Sequence, residues 1–276
     1  MLLLQVYHKI LNTMQTFSKT MGYTQKAGRK PKLSDEQIAS LLILSLLTGM
    51  PVLKLARFII DDKLMSYHIF RKSRVKRVYR LLREYMLYRV SLLILLKLAS
   101  GKKIRLVVDG TLLPVANVNR ARTQKIRRMS GKQFWGVRNR NLYSQHYKQR
   151  VKFKELYYGV LVMVVCDTDG APYDLWFNPA SYHEVRSLRL RFSKSLWLRS
   201  LLERFELIGD RGYRGCELVK VCSSKEDKSQ RQKVEGVFSM LKLFNYSSRW
   251  RHWICLLTYL YAYAIWYSFF RKEVFQ

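Results

Sequence analysis

Apolar positions recur along this chain with two different periods, and the change from one to the other divides it. Residues 1–24 read as a short helix and turn. Leu33-Ser34-Asp35-Glu36-Gln37 then opens a helix: Ser34 suits the N-cap, and Gln37, three residues on, completes a capping box. Leu41, Leu42, Leu44 and Leu46 carry it to Thr48-Gly49-Met50-Pro51, a stop. Pro51 starts a second helix through about Ile60, and a long amphipathic helix spans about Val75 to Leu98. Short helices joined by tight turns predict an N-terminal all-α domain over residues 1–100, of helix-turn-helix type. From Ile104 the pattern turns β-like. Ile104–Asp109 is apolar and β-branched, Tyr157–Cys166 is dense in Val, and Asp167-Thr168-Asp169-Gly170 is a hairpin turn to a partner at Ala171–Phe177. A helix follows over about 184–204, then a strand at Leu207–Asp210 and a turn into a short helix. Ser223–Gln230 reads as a polar connector. In Arg231–Lys242 the residues Val234, Val237, Phe238 and Leu241 form one apolar helical stripe. Residues 101–276 therefore predict an α/β domain, a mixed sheet flanked by helices. Trp253–Phe270 is 18 residues without a charge, the lower limit for a membrane span, but it holds four Tyr, a Thr and a Ser. A packed core helix is expected there, with no membrane partner.

Charge changes the picture. The chain carries 51 basic against 19 acidic residues, a net +32, with 49% apolar residues to fill a core. A balance that basic calls for a polyanion, nucleic acid first, with a membrane surface as the rival. The basic residues cluster. Arg71–Lys103 holds eleven against one acid, Glu84; residues 115–156 hold twelve against Glu155, interleaved with Phe134, Trp135, Tyr143 and Tyr147. Positive charge with aromatics is the composition that grips a backbone and stacks on bases. Ala27–Lys32 is a basic linker, able to follow phosphates or simply to be solvated. The four Cys (166, 216, 222 and 255) form no CxxC pair, so neither a zinc site nor a disulfide framework is read, and a reducing compartment is expected. Met1-Leu2-Leu3-Leu4 is too short for the apolar part of a signal peptide, which suggests a cytoplasmic protein.

Three carboxylates carry the candidate chemistry. Asp109 and Asp210 end β-like runs, and Glu235 lies on the helix with Arg231 and Lys242 along one flank. Taken singly each has an ordinary explanation: Asp109-Gly110 is a turn dipeptide, and Arg231, Glu235 and Lys242 make a surface ion-pair ladder. Taken together they are the set that a two-metal phosphoryl-transfer site needs. If the two strands are parallel neighbours, both Asp lie at one sheet edge. Three meeting carboxylates repel unless cations are present, and an all-oxygen set suits two Mg²⁺ or Mn²⁺ ions. Asp167 and Asp169 are assigned to the turn, and His183 to helix entry.

These motifs resemble the insertion-sequence transposases of the DDE type. Arg231, Glu235 and Lys242 match their spacing of Arg, three residues, Glu, six residues, Lys; Lys228 stands where that pattern has a leading Tyr. Val108-Asp109-Gly110-Thr111 resembles the first-Asp strand, and Ile208-Gly209-Asp210-Arg211-Gly212-Tyr213 the second-Asp motif. Asn178–His183 resembles the segment before the first core helix, and Gly28–Ser34 the entry to the helical domain. The resemblance covers roughly residues 28–270. It implies an RNase H-like catalytic core with Asp109, Asp210 and Glu235 as catalytic metal ligands. It also implies cleavage of DNA at terminal inverted repeats, strand transfer to target DNA, and a homodimer on the DNA, in a prokaryotic cytoplasm beside the nucleoid. Arg231, Lys242, Arg211, Trp135, Arg138 and Lys32 are the expected DNA contacts. One departure stands out: only 24 residues lie between Asp210 and Glu235, short for a helix, a strand and a loop. That spacing supports a rival reading, a catalytically inactive or domesticated descendant that only binds DNA.

Overall fold

In the computed structural model, residues 2–23, 33–60, 72–115, 134–144, 149–243 and 253–270 are described. The chain forms two units. Residues 1–104, 170–173 and 254–276 make the first; residues 105–169 and 174–253 make the second. The sequence-based boundary near residue 100 assigned the last helix to the second domain; in the structure it groups with the first.

The first unit is helical: α1 (Leu2–Thr20), α2 (Asp35–Thr48), α3 (Val52–Ile59), α4 (Lys72–Ala99) and the last helix, Trp253–Ile265, which closes in a π-helical turn at Trp266–Phe270. Helix α2 is apolar on nearly every side, and such a helix belongs in a core: Ile38, Leu41, Ile43, Leu44 and Leu46 are all buried. Its start is the expected capping box, in which the Gln37 N–H donates to Ser34 Oγ at 3.1 Å and the Ser34 N–H to Gln37 Oε1 at 2.7 Å. Its end is Gly49 at φ 69°, a left-handed position that costs glycine little. Pro51 precedes α3, and α2 and α3 meet at 111°. The π-helical turn packs against α2, and Tyr79 of α4 meets Tyr261 edge to face at 5.5 Å between ring centroids. Two thirds of the Trp253–Phe270 stretch is buried (67%), the behaviour of a core helix.

The second unit is built on a mixed six-stranded sheet. Its strands are β1 (Leu106–Pro114), β2 (Trp135–Ser144), β3 (Gln149–Asp167), β4 (Pro172–Pro179), β5 (Leu207–Gly209) and β6 (Lys220–Val221). The order runs β2-β3-β1-β5-β6, with β4 also paired to β3. β1 is antiparallel to β3 and parallel to β5, and β5 is parallel to β6. Helices α5 (Glu184–Lys194), α6 (Leu196–Leu202) and α7 (Lys225–Leu243) accompany the sheet, and the last helix of the chain is α8.

Three expectations change here. β1 does not turn at Asp109-Gly110; it runs on to Pro114 because its register with β3 continues to Pro114 opposite Gly159. The helix expected over 184–204 breaks at Ser195, whose side chain caps α6 by accepting from the Leu198 N–H at 3.2 Å. Much of the basic excursion expected at 115–156 is sheet: β2 pairs with the first half of β3 from Trp135–Tyr158 to Ser144–Gln149. Residues 116–133 and 145–148 of that excursion, and the linker with Lys32, lie outside the described residues.

Candidate active site

Asp109 sits in mid-strand on β1. Its side chain is mostly buried, and Oδ1 accepts from the N–H of Gly110 at 2.8 Å. Beside β1, the parallel β5 ends at Gly209, and Asp210 begins a single 3₁₀ turn, Arg211–Tyr213. Asp210 Oδ1 accepts from the Gly212 N–H at 2.7 Å, which fixes the carboxylate as the cap of that turn.

The third carboxylate depends on α7. Residues 211–224 use the short connection economically. The 3₁₀ turn leads into the two-residue β6, which lies parallel to β5, and α7 starts at Lys225. Part of the expected connector, from Lys225 on, is thus already helix. The start is capped on both sides: the Asp227 N–H donates to Ser224 Oγ at 3.0 Å, while the Ser224 and Ser223 N–H groups donate to Asp227 Oδ2 at 3.3 Å each. Val234, Val237, Phe238 and Leu241 are buried and set the helix orientation, and α7 packs on β1. Burying each such side chain contributes about 1.5–3 kcal/mol. The Arg231–Glu235 pair at i, i+4 contributes only about 0.3–0.5 kcal/mol, so the apolar stripe places the helix and the ion pair only orients side chains.

The outcome is three carboxylates around one guanidinium. Arg231 Nη2 donates to Glu235 Oε1 at 2.9 Å, and Nη1 lies 3.6 Å from Asp109 Oδ2 and 3.7 Å from Asp210 Oδ2. Among the described residues, no three His, Cys, Asp or Glu side chains are gathered closely enough to hold a metal ion; the cation between these carboxylates is the arginine. Burial raises the Asp109 carboxyl to about 6; repulsion from Asp210 and Glu235 adds to this, while the Gly110 N–H and Arg231 pull it down.

A fourth carboxyl enters that the sequence reading missed. Glu184 is the first residue of α5, and a Cβ built on Gly110 would lie 2.9 Å from its Cγ and its Oε1. Any larger residue at 110 would push on the Glu184 side chain, and on Met163 Sδ, also at 2.9 Å. Helix α5 is held to β4 by Ser187, which donates to Asn178 Oδ1 at 2.5 Å and accepts from Trp176 Nε1 at 2.9 Å, and by the fork from Arg191 to the buried Asp174. Burial raises the Glu184 carboxyl to about 7, with repulsion from Asp109 and Asp210 behind it; the Tyr213 hydroxyl and Arg231 act the other way. Tyr213 is fully buried, its hydroxyl has no well-aligned hydrogen bond, and burial beside these carboxylates pushes it far up. No local motif marks Glu184: a helix-starting Glu is ordinarily a solvated cap residue.

The expected DNA contacts are spread out. Arg211 is exposed on the 3₁₀ turn next to Asp210, and Lys242 is exposed in the last turn of α7. Trp135 is half-buried and meets Tyr158 edge to face at 4.9 Å. Arg138 lies in β2 opposite Glu155. His183 is exposed as the N-cap residue of α5, and Asp167 Oδ1 accepts from the Asp169 N–H at 2.9 Å, as a turn residue does.

No family model, no curated protein and no solved structure matches this chain.

Proposed function

We propose that the chain is a DNA transposase of the DDE type, cleaving DNA at the ends of a mobile element and transferring the strands to target DNA. The observation that carries this reading is the meeting of Asp109, Asp210 and Glu235 around Arg231, delivered by a central strand, its parallel neighbour and one helix. The strand path β3-β1-β5-β6, with β4 also paired to β3, β3 antiparallel to β1, and β5 and β6 parallel to it, supports an RNase H-like core. The net charge of +32 supports a double-stranded DNA partner, and the helical first unit supports a helix-turn-helix-like module that grips it.

The donor set fits Mg²⁺ or Mn²⁺: carboxylate oxygens only, with the Asp109 carboxyl raised by burial and, less strongly, by the nearby Asp210 and Glu235, a demand that a hard cation answers. Asp109, Asp210 and Glu235 would hold the ions. Bound there, divalent cations supply activation of a water or a 3′-hydroxyl and stabilisation of the leaving oxygen. Arg231 and Lys242 then face phosphate oxygens, and the bidentate fork of Arg231 suits that task better than a lysine would. Glu184, raised to about 7, is only about half ionised near neutrality and so adds less negative charge to the cluster than an ordinary carboxylate would.

A second reading is a DNA-binding relic without chemistry. Its support is Arg231 itself, whose guanidinium stands between the three carboxylates where a metal ion would sit, and Glu235, whose side chain is 53% exposed. Strand cleavage on DNA carrying the flanking ends of the gene separates the two. The transposase reading expects nicking at the ends that needs Mg²⁺ or Mn²⁺, stops with EDTA and is lost in Glu235→Ala. Tight binding with no cleavage in either metal would leave only the relic.

A further inference from the structure

We propose that Arg105 is a positioning residue for the carboxylate site, clamping the start of α7 so that Arg231 and Glu235 face Asp109 and Asp210. The inference rests on reading that site as catalytic. Arg105 immediately precedes β1. Its Nε and Nη2 donate to Glu206 Oε2 at 3.0 and 2.9 Å, Nη2 also donates to Asp227 Oδ1 at 3.0 Å, and Nη1 reaches Gln230 Oε1 at 3.4 Å. Glu206 immediately precedes β5; its carbonyl accepts from the Leu106 N–H at 2.9 Å and its Oε1 from Lys220 Nζ at 2.7 Å, at the first residue of β6. One guanidinium therefore ties the start of β1 and the start of β5 to the first turns of α7.

The geometry makes this more than a surface bridge. Asp227 is 5% exposed, and its two oxygens are divided: Oδ2 caps the helix, and Oδ1 takes Arg105. Arg231 lies one helical turn beyond Asp227, and Glu235 one turn further, about 12 Å along the axis. A small tilt at Asp227 is therefore carried to the carboxylate that must meet β1 and β5. A misplacement of about 1 Å at reacting groups costs up to about a hundredfold in rate. A lysine offers one compact ammonium and no planar fork, so it cannot hold Glu206, Asp227 and Gln230 in this arrangement.

The test uses the full-length protein, Arg105→Gln, Arg105→Lys, Asp227→Asn and the Arg105→Gln/Asp227→Asn double variant. It measures cleavage kinetics on DNA carrying the element ends, Mn²⁺ binding by calorimetry, and folding by circular dichroism at the assay temperature. Arg105→Gln is expected to stay folded, to keep KM for DNA within about twofold, and to lose about tenfold or more in kcat with weaker Mn²⁺ binding. Asp227→Asn should lose as much, the double variant no more than either, and Arg105→Lys should melt near the wild type without recovering kcat. A loss confined to KM, additive losses, or unchanged kcat would overturn the proposal. A wild type that neither cleaves nor binds Mn²⁺ through Asp109 would instead sink the catalytic reading, and Arg105's part in it. Hydrogen exchange then still judges the clamp: Arg105→Gln should speed exchange of the 227–231 amides about tenfold and leave β1 alone. Equal exchange overturns the clamp by itself.

Discussion

Asp109 is the most enclosed of the three carboxylates, its side chain 13% exposed against 40% for Asp210 and 53% for Glu235. Its folded value, about 6, lies above the ordinary carboxylate value. The folded protein thus still holds a proton that the unfolded chain has released. The contribution of Asp109 to stability is accordingly fully present below about pH 4, is lost as pH rises through about 6, and stays reduced above. Asp109→Asn should therefore raise the metal-free stability at pH 8 by on the order of 1–3 kcal/mol, seen as a higher melting temperature, and by much less at pH 4.5. Thermal melts of both proteins in EDTA at the two pH values check this. A variant that melts lower at pH 8 would mean that the carboxylate gains more from Arg231 than it loses by burial. The same residue shows where local reading stops. Asp109-Gly110 carries the signature of a turn, yet the strand passes through it, because where β1 ends is decided by its pairing with β3, some fifty residues away. Glu184 escaped notice for the same reason: what brings it beside Asp109 is the docking of its helix on β4 through Ser187 and Arg191, which no local motif records.

Among the elements, α7 decides whether the site assembles. Only 24 residues separate Asp210 from Glu235, and the chain covers the gap with a 3₁₀ turn, a two-residue strand and a helix that starts at Lys225. The cap at Ser224 and Asp227 is what lets the helix begin so early. Ser224→Ala is expected to cost about 1 kcal/mol, read as a shift in the urea midpoint without a change in slope. A neutral result would show that Asp227 and Arg105 hold the helix start without the hydroxyl. The apolar stripe Val234, Val237, Phe238 and Leu241 was legible because helical periodicity is local, and the Ser34–Gln37 capping box was legible because it spans four residues. β6 was not, since two residues carry no period of their own. The first half of β3 was hidden by its charges: Lys152 and Lys154 alternate along a strand whose reason for forming is its partner β2.

For the whole molecule, the +32 charge is the feature on which the proposed DNA binding is expected to depend. Binding to double-stranded DNA is expected to weaken by about 10³-fold or more between 50 and 200 mM salt, as counterions released from the phosphates are returned. Fluorescence anisotropy at several salt concentrations gives the slope, and an affinity nearly independent of salt would remove phosphate contact as the source of binding. The same scale shows which residues belong together. α8 contributes Tyr261 against Tyr79 and Phe269 under the Arg89 guanidinium at 4.7 Å, so the last helix completes the unit that the first hundred residues begin.

That discontinuity has a consequence for synthesis. A ribosome emits α1 to α4 early, but the helix that closes their core is translated only after the whole sheet unit has been made. The unit begun first is finished after the second, and a growing chain must carry an unsealed apolar core until residues 253–270 have been made. A premature stop just before residue 253 would spare every carboxylate of the site and still leave the N-terminal helices without their closing partner. The sheet unit lies within one stretch, residues 105–253, but the helical unit cannot be cut from the gene as a contiguous cassette.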